Sequence, residues 1–387
     1  MHDVHREISA WMRAAGAAVQ VDAAGNLRGV YPAADNHASY TQCPRLLLGS
    51  HLDSVPNAGA YDGVLGVMIA VALLENLQGE KLPFAIEVVG LSEEEGVRFG
   101  TPFIGSRALV GRLDDALLSI KDANGTSVRA AIENFGLTPA DIRRAVLNDD
   151  VLGYIEFHIE QGPVLESLDC PLAAVEAIVG QTRLELAFLG KANHAGTTPM
   201  HLRRDAMAAA AEWIIAVERA AQNDPDLVAT VGQIEATPGA VNVIAGEIRV
   251  SLDLRHRSDS VRERAADNLL HCAHQIAARR GLSLQTRTLL NQRAVEMDPY
   301  LADQIEKAIR ETGCQPHRMV SGAGHDAMIL AEKVPSAMIF LRTPGGISHD
   351  PSEAVEVNDV AKAIECGAHL LKQLARSSHF QERMSRA

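Results

Sequence analysis

The sequence predicts an α/β protein: a mainly parallel sheet interrupted by a smaller α+β domain. Three observations carry this expectation. In the first hundred residues, fully apolar runs that stop at polar loops alternate with an apolar helix. In the middle of the chain the strands change type and their apolar residues strictly alternate. After about residue 295 the fully apolar type returns. Strands buried on both faces read as continuous apolar runs, and strands with one wet face read as alternation.

The elements follow in order. Leu46–Leu48 is a short apolar strand that stops at Gly49-Ser50-His51. Val64–Leu77 reads as an apolar helix, and Phe84–Leu91 as a strand that stops at Ser92-Glu93-Glu94-Glu95-Gly96. Strand, loop, helix, strand, loop is the signature of a parallel sheet, and such sheets bind ligands beyond their C-terminal strand ends. Tyr154–Phe157 is a further extended segment. Thr182–Gly190 places Leu184, Leu186 and Phe188 on one face. Then come an Ala-rich helix over Asp205–Gln222, a strand over Val228–Ala236, and a second alternating strand over Glu247–Arg255. A helix over Ser258–Arg280, with Ser258 at its N-cap and Gly281 past its end, leads to a last strand over Leu282–Leu290. This β-α-β-β-α-β order is the ferredoxin-like unit. The expected division is therefore 1–179 with 295–387 as one discontinuous domain and 180–294 as the insert. In the returning segment Leu301–Thr312 and Val357–Ser377 read as helices, Gly313 stops the first, and Ala337–Leu341 is a buried strand.

The chain has 387 residues, 47% of them hydrophobic, enough for a sizeable core. Lys and Arg number 36 against 49 Asp and Glu, a net charge of −13. That balance argues against a nucleic-acid or anionic-membrane surface, which needs clustered positive charge. A small anionic substrate needs only one or two local cations. The five cysteines are scattered and form no CxxC, so neither a disulfide framework nor a thiolate zinc site is expected, and a reducing cytoplasm is the simplest home. The first residues carry charges rather than the apolar stretch of a signal peptide, and the run within Val64–Leu74 is too short to span a membrane.

Four polar clusters each stand just after a predicted strand: His51-Leu52-Asp53 with Asp62 beyond it, Glu93-Glu94-Glu95, His158 in HIEQGP, and His349 in GGISHDP. Singly, each has a plain structural reading as a capping Asp, a solvated acidic loop or a packed histidine. Jointly they place imidazoles and carboxylates, the ligands of zinc and similar first-row metals, at one sheet edge. His51, Asp62, Glu95, His158 and His349 suffice for two ions if one carboxylate bridges. Asp53 is placed to orient an imidazole. Adjacent carboxylates suit two tasks, one holding metal and one taking a proton from water. In the insert, His194 has small neighbours that leave its ring accessible, and Arg255 ends a strand with a fork suited to a carboxylate. Asn242, Gln181 and the turn Gly322–Asp326 are unremarkable in isolation, and that turn is no nucleotide loop.

The stretches GSHLDSVPNAGAYDG, SEEEGVRFG, HIEQGPVLE, GQTRLEL, NHAGTTPM, NVIAGEIRVSLDLR, SGAGHDAM and GGISHDPSE run in order from about residue 49 to 353. They resemble the M20-type di-metal amidohydrolases of the carbamoylase and allantoate amidohydrolase group. The resemblance implies a zinc-peptidase-like α/β catalytic domain with an inserted ferredoxin-like lid that dimerises. It implies one metal on His51, Asp62 and His158 and a second on Asp62, Glu95 and His349, with Asp62 bridging. It implies Glu94 as general base, His194 reaching from the partner subunit to stabilise the oxyanion, and Gln181, Asn242 and Arg255 binding substrate, Arg255 on its carboxylate. Mn²⁺ is the implied active metal and Zn²⁺ a common occupant; Co²⁺ and Ni²⁺ also suit the ligands.

SEEEGVRFG followed by FIGSRALVG, with FLRTPGGISHDPSE, looks most like allantoate amidohydrolases. The expected reaction is then hydrolysis of allantoate to ureidoglycine, CO₂ and NH₃, a step of purine-ureide nitrogen salvage. N-Carbamoyl-L-amino-acid hydrolysis is the alternative. A dipeptidase or aminoacylase, or a non-catalytic binding protein on the same fold, is further off. With the site expected between domains, lid closure would complete it. Ala58 and Ala60 stand where the group often has Gly and a larger residue, which predicts an altered loop around Asp62. The chain also starts later than most members, which predicts a missing N-terminal helix.

Overall fold

The computed structural model describes residues 1–34 and 43–386. The chain forms two compact units: Met1–Glu176 with Glu296–Ala387, and Ala177–Val295.

The first unit is built on a mixed sheet. Its centre is four parallel strands in the order Ala85–Leu91, Arg45–His51, Val151–Ile159 and Ser336–Leu341. Every residue of these four strands is buried, as their apolar runs require. Antiparallel strands flank them. Leu27–Tyr31 pairs with Ala85–Leu91 on one side, and Leu172–Ile178 with Ser336–Leu341 on the other. A helix stands at His2–Ala14, burying Ile8 and Met12. The helix Val64–Asn76 is apolar on every side and buries Val67, Ile69, Ala70, Val71, Leu73 and Leu74, as a helix must when other elements cover it all round. Pro299–Glu311 and Val357–Arg376 are amphipathic and contribute Leu301, Ile305, Leu370 and Leu374 to the same core. Asp298 caps the former, its carboxylate accepting from the Leu301 amide at 2.9 Å.

The second unit is an antiparallel sheet in the order Ile234–Thr237, Glu247–His256, Gly180–Leu189, Ser283–Gln292. The helices Ala206–Gln222 and Asp259–Arg279 share a core with Leu184, Leu186, Phe188, Ile248, Val250, Leu252 and Leu254. Trp213 is fully buried there, and its Nε1 donates to the Leu269 carbonyl at 2.9 Å. The expected strand Val228–Ala236 is in fact two, Val228–Thr230 and Ile234–Thr237, both paired with Glu247–His256. The ladder lapses around Gly232, where the Ser251 hydroxyl instead accepts from the Gln233 amide at 3.0 Å. Among the described residues no helix is long and apolar enough to cross a membrane.

Candidate metal centre

The four parallel strands bring their C-terminal ends together, and each end delivers part of one cluster. His51 closes the strand Arg45–His51. Its Nδ1 lies 2.8 Å from the Asp53 carbonyl oxygen. His158 stands near the end of Val151–Ile159, with its Nδ1 2.8 Å from the Ile159 carbonyl oxygen. A ring nitrogen facing a carbonyl must carry the proton, so both rings turn a bare Nε2 toward the cluster. These two Nε2 atoms are only 3.3 Å apart. Two lone pairs at that separation repel unless a cation lies between them.

Asp62 sits on the turn before the helix Val64–Asn76 and is 2% exposed. Its Oδ1 is 3.2 Å from His158 Nε2, and its Oδ2 is 3.0 Å from His349 Nε2. The turn demands glycine at position 63: φ is +68°, and a Cβ there would run into the His51 ring. Ala58 and Ala60 do not prevent this loop from bringing Asp62 into the cluster. The loop after Ala85–Leu91 has Glu93 at φ +56°, and the buried Glu94 and the half-buried Glu95 follow it. His349 Nε2 is 3.5 Å from Glu95 Oε1, and His51 Nε2 is 4.0 Å from Glu94 Oε2.

Asp53 meets the cluster through both its backbone and its side chain. Its two carboxylate oxygens accept the Glu94 and Glu95 amides at 3.0 and 3.1 Å. It is the Asp53 backbone carbonyl, not the side chain, that orients His51. A carboxylate is the better partner for two converging N–H groups, and one carbonyl suffices for one ring nitrogen.

The cluster is crowded with acids. Burial, then the charges of Asp326, Glu95, Asp53 and Glu156, push the Glu94 carboxyl well above its ordinary range. Burial and the adjacent Asp62 push Glu95 up to about 8. Burial also acts on Asp62, but His158, His51 and His349, where they carry a proton and a positive charge, outweigh it and hold that pKa below the ordinary value. Behind the cluster lie residues that the sequence did not single out as site residues. Glu156 is fully buried, accepting from Ser50 Oγ at 2.8 Å and from the Ala327 amide at 2.9 Å. His325 packs edge-on against His158 at 4.4 Å between ring centroids, with Ser321 Oγ 2.8 Å from its Nε2. Gln161 Nε2 is 3.1 Å from Asp62 Oδ1. A polar residue inside an apolar strand, as Glu156 is within Val151–Ile159, is the signal that could have found the first of these.

Two ligand sets of the right chemistry result, His51–Asp62–His158 and Asp62–Glu95–His349, in each of which the donor atoms lie within 4.8 Å of one another. Asp62 Oδ2 and Glu95 Oε1 are buried and both face His349 Nε2, as atoms gathered round a cation would. The residues present therefore fit a metal centre.

The second unit holds the other four expected residues in two pairs. His194 and Asn242 meet at a two-stranded ribbon, where Val243 pairs with His194 and the Ala195 amide donates to the Asn242 carbonyl at 2.9 Å. His194 is exposed, and its Nδ1 accepts from the Gly196 amide at 3.1 Å, which leaves Nε2 as the donor of the neutral ring. Gln181 and Arg255 are cross-strand partners. Arg255 already holds a carboxylate, that of Asp253, through Nε at 2.7 Å and Nη2 at 3.0 Å.

Residues 47–373 match the model of peptidase family M20/M25/M40. The chain belongs to that family. The M20 family is metal-dependent, in keeping with the donor sets above. The chain is 39% identical to an N-carbamoyl-L-amino acid amidohydrolase of Geobacillus stearothermophilus, over 95% of this chain and 90% of that protein. It is 38% identical to an allantoate deiminase of Arabidopsis thaliana, over 92% of this chain and 73% of that protein. A solved hydantoinase/carbamoylase family amidase from Burkholderia multivorans superposes with a TM-score of 0.88 at 30% identity, covering 95% of this chain and 88% of that one. This M20 protein is an amidohydrolase, an enzyme of C–N bonds other than peptide bonds.

Proposed function

We propose that this M20 amidohydrolase cleaves the ureido C–N bond of a small carboxylate-bearing substrate, with allantoate as that substrate and ureidoglycine, CO₂ and NH₃ as products. The observation that carries the chemistry is the pair of donor sets sharing Asp62 with the buried Glu94 carboxyl beside them. His51, Asp62 and His158 would hold one divalent cation, and Asp62, Glu95 and His349 a second, Mn²⁺ or Zn²⁺. When bound, such ions polarise a carbonyl and bring the pKa of water toward about 7.

The protein's own groups do the rest. Glu94 takes a proton at its carboxylate from the attacking water and later returns it to the leaving nitrogen. Its burial excludes bulk water from that transfer. His194 donates from Nε2 to the developing oxyanion, a contribution of about 3 kcal/mol for one such donor. Gln181 and Asn242 orient the ureido group. Arg255 recognises the substrate carboxylate, which has to share the guanidinium with Asp253 or replace it. Segment 180–294 acts as lid and dimerisation domain, and His194 serves the partner subunit's site.

The second reading, N-carbamoyl-L-amino-acid hydrolysis, is favoured by the Geobacillus relative at 39% identity. It keeps every step and changes only the side-chain pocket. Ammonia release from allantoate and from N-carbamoyl-L-amino acids, measured side by side after Mn²⁺ reconstitution, separates them. Preference for allantoate supports the first reading; preference for the carbamoyl amino acids moves the substrate and leaves the mechanism. Turnover of neither, with two ions bound, would sink both.

A further inference from the structure

We infer that Glu353 is a positioning residue that locks the loop of Asp62 to the loop of His349, and so sets the geometry of the second donor set. This inference rests on the reading of Asp62 and His349 as metal ligands.

Glu353 is a charged side chain only 5% exposed, and none of its hydrogen bonds goes to a cation. Its Oε1 accepts the Tyr61 amide at 2.9 Å and the Asp62 amide at 3.1 Å. Its Oε2 accepts from Ser348 Oγ at 2.9 Å. One carboxylate thus grips the backbone of one ligand and the immediate neighbour of the other. A second route runs through the side chains: Gln161 Nε2 lies 3.3 Å from Ser348 Oγ and 3.1 Å from Asp62 Oδ1. The Glu353 amide donates to the Asp350 carbonyl at 2.9 Å, a tight turn that folds its side chain back toward the loops.

Two further features lie at the grip. His349 has φ of +59°, a left-handed conformation that is uncommon for a residue with a side chain. Position 59 is glycine, and a Cβ there would collide with the Glu353 side chain. The Asp62 loop is therefore laid directly against Glu353, with no room for a methyl group between them.

The two donor sets should respond unequally. Asp62 is common to both sets, but His51 and His158 in the first are oriented by backbone carbonyls that Glu353 does not touch. His349 depends on it. The test is calorimetric titration of the metal-free protein with Mn²⁺, alongside thermal melting of the metal-free state. Wild type should take two ions. Glu353→Ala should keep the tighter ion and lose about 10- to 100-fold in affinity for the other, the usual scale for removing an outer partner of a ligand. Glu353→Gln keeps one acceptor oxygen for the two amides and can donate to Ser348, so it should restore the second affinity to within about threefold. Gly59→Ala leaves every polar group in place and should weaken the same ion, since its Cβ would run into the Glu353 Cβ and Oε1.

Equal weakening of both ions in Glu353→Ala, or unchanged affinity for both, overturns the inference. If Glu353→Ala does not fold, Glu353→Gln and Gly59→Ala decide it alone. Wild type binding fewer than two ions would overturn the ligand reading itself, and the inference with it.

Discussion

With its pKa at about 8, the Glu95 carboxyl keeps its proton at neutral pH in the metal-free protein, while the unfolded chain gives it up near 4.5. Between those values the folded state binds more protons than the unfolded one, so this group makes stability fall as pH rises through the window. Glu94 is shifted in the same direction. A cation that takes Glu95 as ligand must displace that proton. Titrating Mn²⁺ into the metal-free protein near pH 6.5, in buffers of different ionisation enthalpy, should therefore show proton release that fades above about pH 8, on the scale of the Glu95 value. No release at the lower pH would contradict the assignment. Glu94→Gln should bind both ions and lose about 10²- to 10⁴-fold in kcat, the usual range for a general base. Residues like these were legible because they follow apolar runs directly, where a polar cluster is out of place. Glu353 was not, because its partners Tyr61 and Asp62 lie far away in the chain. Nothing in a loop sequence marks which carboxylate will be buried.

The helix Val64–Asn76 links packing to the centre, since it begins directly after Asp62-Gly63. Leu73 is 1% exposed within it. Leu73→Ala should cost about 2–5 kcal/mol in denaturant unfolding, the range for buried leucines. Gly63→Ala should instead leave the core intact and abolish metal binding at His51, with the melting temperature of the metal-free protein as the control. A large loss of that stability without loss of metal would mean that the turn, not the centre, needs the glycine. The central strands and this helix were readable because burial on all sides leaves an unbroken apolar run. The flanking strands Ala18–Val21 and Leu27–Tyr31 escaped notice, being short and mixed in character. Alternation disclosed the second unit's long strands, and its limits appear at Gly232, where one expected strand is two. A sequence does not say whether a carbonyl or a carboxylate will meet a ring, and at Asp53 it is the carbonyl that faces His51.

At the scale of the whole chain, each unit has its own hydrophobic core, and all five expected ligands belong to the first. Scanning calorimetry should resolve two transitions, of which chelation lowers only one; an ion at a hundred times its Kd stabilises the state that binds it by about 2.7 kcal/mol. A single transition lowered as a whole would show that the units unfold together. Subunit mixing tests the proposed service of His194 across a dimer. Neither Glu94→Gln nor His194→Ala should turn over well alone. If His194 acts across the dimer, an equal mixture should recover about a quarter of wild-type activity, because half the dimers then hold one intact site of two. If it acts within its own chain, the mixture recovers nothing. The discontinuity of the first unit also bears on biosynthesis. During translation His51, Asp62, Glu95 and His158 emerge early, but His349 and Glu353 follow only after the entire second unit has been made. A ribosome-bound chain therefore carries an incomplete set of the proposed ligands for most of its synthesis, and the second proposed ion would be loaded only after His349 has emerged.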